Sequence, residues 1–390
     1  MTRREELDRK ILAYMFRCGH APRTELVAYT GIRAATVFES VDRLKASGLL
    51  IEPSRRGKKT GRTSPELKSN PDFASWIGID LNTQKTFAVR TDNNGQILDS
   101  AEVPAGKRLS AADVFAEIFQ VIETLQQNAG KEWFKVCGIG FSDPGTIDMR
   151  RGRSLSAVNI PGWHNVDTVK TIEEKTGLMC TLWSDGMILA KGEYMARQEE
   201  PPEKLIHLAL GQTIGAGFVD NGSIYCGSSG KAMEIGHLVI HDQGPLCRCG
   251  SRGCLEAVAA IPALLKTLEK LKKEGVATQL ESENFSVEKW AALSDTDPGA
   301  QSLLSTLTEA LGKALIPVAT LLDPDLIVLS GELALLGEKL RLPLLGILKN
   351  GCLSGAAETL KIEFAQHACS TTARGAALLM RDRVILSQLV

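Results

Sequence analysis

The sequence predicts an α/β body of two similar lobes, preceded by a winged helix-turn-helix domain. Three observations predict this architecture. Residues 1–70 hold 15 Lys+Arg against 8 Asp+Glu, whereas residues 71–390 hold 30 against 38, so a basic head of +7 precedes an acidic body of −8. Apolar residues recur at helical spacing within the head, but from Trp76 onward short apolar strands alternate with helices. A strand running into a glycine-containing turn occurs twice in the body, on either side of a helical middle, which suggests two related lobes with a cleft between them.

Leu7, Ile11, Leu12 and Met15 form the apolar stripe of a first helix. Pro22 and Thr24, followed by Glu25 and Leu26, read as the cap and start of a short second helix through Tyr29, broken at Thr30-Gly31. Ala34, Val37, Val41 and Leu44 give the buried face of a third helix, stopped by Gly48. Leu49 to Ile51 is a short strand, and the basic run 55–62 is a flexible hairpin of the kind that forms a wing. Double-stranded DNA is the expected partner, since each Lys or Arg near a phosphate releases counterions. The candidate DNA contacts are Arg33, Thr36, Ser40 and Arg43 on the third helix and Arg62 in the wing.

In the body, Ile77 to Leu81 is a strand ending beside a carboxylate, Asp80, with Phe87 to Arg90 as its hairpin partner. Ala112 to Gln127 is an amphipathic helix, and Val136 to Phe141 a strand closed by Asp143-Pro144-Gly145. Leu205 to Leu210 runs into a glycine-rich loop over Gly211 to Gly217, and Leu326 to Leu329 is a further buried strand. The chain length suits two or three domains at roughly 150 residues each. A hydrophobic content of 44% excludes a mainly disordered chain. The longest apolar stretches, such as 314–322, fall short of the roughly 18 to 20 residues a bilayer requires, so neither a transmembrane helix nor a membrane partner is expected. The N-terminus carries acids where a secretory signal has its apolar core, so a cytoplasmic location is expected.

Nine cysteines make an odd set that suits no disulfide framework, but Cys247, Cys249 and Cys254 lie close together with His237 just upstream. Three thiolates and one imidazole complete a tetrahedral set for a structural Zn2+, leaving no open catalytic position. The run from Glu234 to Glu256, with its Gly236-His237 and Cys-x-Cys-Gly-x-x-Gly-Cys-Leu-Glu segments, resembles the zinc signature of the ROK family (repressors, open reading frames and kinases), and the resemblance extends from about residue 5 to about residue 385.

The resemblance implies an actin-like, ribonuclease-H-like body behind the winged helix-turn-helix domain. The implied boundaries are 1–70 for the DNA-binding domain, 71–184 for the N-terminal lobe with a helix over 371–390 returning to it, and 185–370 for the C-terminal lobe with the zinc knuckle. It further implies a sugar pocket from Asn159, Ser184, Asp185, Glu234, His237 and Glu256. Asp185 stands where ROK kinases hold their general base, here vestigial, and Ser184 replaces the amide beside it. A carboxylate-rich pocket suits a neutral polyhydroxylated ligand. The segments matching the kinase nucleotide loops have changed: Asp80 to Lys85 lacks the family's paired glycines, Gln212 enters the second loop, and Glu332 enters the third. Side chains there occupy space that phosphates need.

The expected function is that of a sugar-responsive DNA-binding transcriptional regulator, a repressor without kinase activity, acting as a homodimer or higher homo-oligomer. The alternatives are a sugar kinase fused to a DNA-binding head, for which Asp185 and Lys85 speak, and a regulator whose inducer is a protein partner.

Overall fold

A computed structural model describes residues 2–53, 66–157, 160–197, 200–353, 358–365 and 370–387. In the head, α1 (Arg3–Cys18) buries Leu7, Ile11, Leu12 and Met15 and starts with a reciprocal Thr2–Glu5 capping box. α2 (Arg23–Thr30) follows Pro22 directly. Thr24, expected near its cap, lies inside the first turn, because the fixed backbone of Pro22 already delivers the chain into the helix. Gly31 closes α2 in the left-handed conformation. α3 (Ala34–Ala46) buries Val37, Val41 and Leu44, whereas Ala34, expected on that face, is exposed at the first turn.

A second departure concerns Ser40, which is fully buried and so cannot meet a duplex. Its hydroxyl donates to Asp8 of α1, and Arg43 Nη2 lies 2.8 Å from the same carboxylate. A buried aspartate needs donors, and α3 supplies two. Strands β1 (His20–Pro22), β2 (Leu50–Ile51) and β3 (Glu66–Ser69) complete the head as a sheet ordered β1-β3-β2. The expected wing over 55–62, with Arg62, lies outside the described residues, as does Asn159.

The chain divides into two units, Met1–Pro201 with His367–Val390, and Pro202–Gln366. The boundary expected after Ser184 therefore falls after Pro201. The helix Asp185–Ala196 explains the shift: it packs on the C-terminal helix Ser370–Ser387, and its Lys191 Nζ sits 2.7 Å from Asp382 of that helix. The head also shares a core with the first unit. Trp76 and the C-terminal residues Ala377, Met380, Val384 and Ile385 pack with Leu12, Met15, Phe16 and Leu44.

The first unit is built on a sheet ordered Cys180–Ser184, Val136–Asp143, Ser75–Leu81, Lys85–Asp92 and Ile97–Pro104. The first three strands are parallel and the last two add on antiparallel. Ile77, Ile79 and Leu81 share a core with the helix Ala111–Ala129, so the alternate residue Gly78 faces the other way. There the C-terminal helix comes so close that a Cβ on Gly78 would sit 1.7 Å from the Ala373 carbonyl oxygen, and one on Gly140 2.0 Å from that of Ala376.

The second unit repeats this plan, with Lys204–Leu210 flanked by the antiparallel Ile214–Asp220 and Ser223–Ile224 on one side and the parallel Leu326–Ser330 and Lys361–Phe364 on the other. This is the α/β plan expected of each lobe. The glycine-rich segment differs from expectation. Only Gly211 to Thr213 turn, while Ile214 to Gly217 continue as strand, because Ile214, Ala216 and Phe218 alternate into the core.

Candidate functional site

In the first unit, three parallel strands carry carboxylates to their carboxyl ends, the edge at which open α/β sheets bind ligands. Asp80 pairs in register with Ser142, and Asp143 with Ser184. Asp185 opens the next helix, and Ser142 donates its hydroxyl to it. Burial, and then the nearby charge of Asp80, push the Asp185 carboxyl well above its ordinary range. Burial also raises Asp80 to about 6, against the pull of an Asn82 amide 3.0 Å away. Asp143 is buried and accepts from Trp163 Nε1 at 2.8 Å and the Gly145 N–H at 2.8 Å, so it orders the turn that follows. Ser184 caps the Asp185 helix through its backbone only. Sequence reasoning missed Ser142 and Asp80 as members of this cluster, although a strand ending beside a carboxylate was its visible signal.

In the second unit, Val239 bridges Cys254 and the Ile240 N–H donates to the Gly253 carbonyl, which brings the His237 segment against the cysteine knuckle. The knuckle is held tight by the Cys247 N–H to Ser251 carbonyl bond of 2.8 Å and by Gly253, whose φ is +72° and at which an added Cβ would sit 1.7 Å from the His241 carbonyl oxygen, so no side chain fits there. His237, Cys247, Cys249 and Cys254 bring one ligand atom each within 4.8 Å of one another. His237 Nδ1 and Cys247 Sγ are 3.6 Å apart, as are Cys249 and Cys254 Sγ. A tetrahedron with arms of about 2.0–2.3 Å has edges of about 3.3–3.8 Å, so the set fits a metal ion. Burial pushes the Cys254 thiol up to about 12, whereas the Ser251 N–H holds Cys249 below its ordinary value.

Glu256, which follows the knuckle, is buried and accepts from the Ile214 N–H at 3.0 Å. Arg248, between two of the cysteines, places Nε 2.9 Å from Glu256 Oε1 and Nη2 3.2 Å from Oε2. Glu234 is exposed and lies within electrostatic reach of His237, Glu256, Lys231 and Arg248. Met233 before it holds a φ of +66°, a conformation that glycine adopts without strain. On the same unit, the Gln212 side-chain amide lies 3.4 Å from both Glu332 oxygens, which brings the turn after Leu210 against the start of the segment after Ser330.

In the head, Arg33 and Thr36 are exposed at the start of α3. Arg43 is half-exposed but engaged with Asp8. Among the described residues no helix is long and apolar enough to cross a membrane.

The chain is 27% identical over 346 residues to a xylose repressor of Caldicellulosiruptor bescii, covering 85% of this chain and 82% of that one. It is 30% identical over 275 residues to a glucokinase of Thermotoga maritima, covering 69% and 85%. Its fold matches the crystal structure of a ROK family transcriptional regulator, a homologue of the E. coli MLC protein, with a TM-score of 0.78 at 22% identity over 98% of both chains. The ROK family itself matches residues 76–383, nearly all of the body behind the head, and the chain belongs to that family.

Proposed function

We propose that this protein is a sugar-responsive, DNA-binding transcriptional repressor whose body binds its effector and no longer phosphorylates it. The observation that carries the reading is the shared core of the head and the body's C-terminal helix, which ties a winged helix to a ROK lobe. The repressor relative, aligned over 85% of this chain, supports it, whereas the glucokinase relative aligns with 69%. The Gln212–Glu332 contact supports a closed nucleotide site, since it sets a carboxylate where a triphosphate would need donors.

The chemistry divides as follows. Arg33 and Thr36 on α3 meet the duplex, with Arg62 in the wing. On the first unit Asp185, Ser184 and Asn159, and on the second Glu234, His237 and Glu256, are the residues we assign to effector binding. His237, Cys247, Cys249 and Cys254 would hold a structural Zn2+, which would rigidify the knuckle that precedes Glu256. Effector binding at Asp185 acts on the helix Asp185–Ala196. Lys191 of that helix pairs with Asp382, whose neighbour Arg381 is buried with its guanidinium 4.0 Å above the Phe16 ring of α1. A ligand that favours one position of this helix therefore favours one setting of the head. The protein acts as a cytoplasmic homodimer on a two-fold operator.

The test is selection of a random duplex library with the zinc-loaded protein, followed by titration of the enriched duplex with sugars. A two-fold symmetric site, released by one class of sugar and unaffected by ATP, is expected. Absence of any enriched site, or hexose-dependent ADP release lost in Asp185→Asn, would replace this reading with the kinase.

A further inference from the structure

We propose that Arg248 is an effector-binding residue, and that it makes this part of the pocket select a sugar bearing an anionic group, a carboxylate or a phosphate, over its neutral parent. The inference rests on the effector reading above and names the class of effector. Seen as a sequence, the pocket is rich in acids and suits hydroxyl donors. The fold changes that balance.

Glu256, on the second unit, has a side chain only 9% exposed and is already engaged on both oxygens. Arg248 Nε lies 2.9 Å from Oε1, while Nη2 and the Ile214 N–H both donate to Oε2, at 3.2 and 3.0 Å. A carboxylate offers about four acceptor positions, and three here face the protein's own donors. Glu256 is thus a positioning residue for the guanidinium more than an acceptor for a ligand.

Arg248 is the reverse case. A guanidinium has five N–H donors in a fixed planar fork. Nε and one Nη2 hydrogen face Glu256, and Nη1 has no acceptor among the described residues. Its side chain is 43% exposed, so this edge meets solvent and whatever enters. The stem cannot swing away freely, because Cys247 and Cys249 on either side belong to the metal-binding set and the Cys247 N–H is tied to Ser251. The other acid assigned to this unit, Glu234, has Lys231 as well as Arg248 within electrostatic reach. A donor fork with a fixed base matches two oxygens of a carboxylate or phosphate, which a hydroxyl cannot imitate.

Calorimetry on the full-length, zinc-loaded protein tests this with matched ligands: glucose, mannose, galactose and N-acetylglucosamine, each beside its 6-phosphate, together with glucuronate and galacturonate. At least one anionic member is expected to bind about tenfold or more tightly than its neutral parent. Whether it is a phosphate or a uronate tells the two sources of charge apart. Arg248→Lys should keep part of that preference. Arg248→Met paired with Glu256→Gln, which strands no buried charge, should abolish it while zinc content and melting temperature stay near wild type. Equal or tighter binding of the neutral parents, or an anionic preference that survives the double substitution, would overturn the role of Arg248 and leave the effector reading intact. Binding of neither class by a protein that still holds its operator would overturn the effector reading, and this proposal with it.

Discussion

Asp80 ends the central strand of the first unit nearly out of reach of water, and its carboxyl rises from 3.8 to about 6 on folding. Between those values the native state holds a proton that the unfolded chain has released, so this group's contribution to stability falls as pH rises from about 4 to about 6, then stays low. Asp80→Asn is therefore expected to raise the melting temperature at pH 7 and to flatten its decline over that interval, as thermal melts across pH would show. In the head, Ser40 of α3 and Arg33, which caps that helix, should behave in opposite ways. Ser40→Ala removes a donor from the buried Asp8 and is expected to cost about 1–3 kcal/mol of stability, with duplex affinity of the folded protein little changed. Arg33→Ala, at an exposed site, should leave the melting curve in place and weaken duplex binding about fivefold or more by fluorescence anisotropy.

At the scale of elements, the knuckle and the C-terminal helix are the parts on which the sites depend. Metal binding free energy is folding free energy where the site exists only in the native chain. Chelation, or Cys249→Ser, is expected to lower the melting temperature and to weaken effector binding in step, since Glu256 follows the knuckle directly; calorimetry before and after zinc restoration measures both. The C-terminal helix lies against glycine backbone in two strands. Gly140→Ala would push a methyl to 2.0 Å from the Ala376 carbonyl, and a destabilisation of about 1–3 kcal/mol is expected in denaturant titration. The same displacement should loosen the head, whose core that helix completes.

For the molecule as a whole, effector and DNA must affect each other by the same factor, because binding couplings are reciprocal. The buried Lys191–Asp382–Arg381 group, with Arg381 over Phe16, is one contiguous chain of contacts between the helix that begins at Asp185 and the DNA-binding head. Burial alone would raise the Asp382 carboxyl, but Arg381 and Lys191 outweigh it and hold it below the ordinary range, so the group stays ionic. Lys191→Met, which leaves Asp382 its Arg381 partner, is expected to preserve operator affinity and effector affinity measured separately and to reduce the factor by which one changes the other. Titration of each ligand in the presence and absence of the second measures that factor.

Much of this was legible in the chain itself. The apolar spacing of Leu7, Ile11, Leu12 and Met15, the alternation along Ile77 to Leu81, the Cys-x-Cys knuckle and the basic head each depend on residues a few positions apart, where helical and strand periods act directly. The sequence by itself therefore determined the order of the main elements, the α/β class, the clustered His237–Cys247–Cys249–Cys254 set and the basic head. Only the tertiary structure decided that Ser40 faces inward to Asp8, 32 residues away, that Gln212 meets Glu332 across 120 residues, that the lobe boundary follows Pro201, and that Arg248 covers Glu256. The physical reason is range: periodicity decides which face a residue occupies, but the partner of a buried polar group is chosen by which distant element packs there, and no local pattern records it.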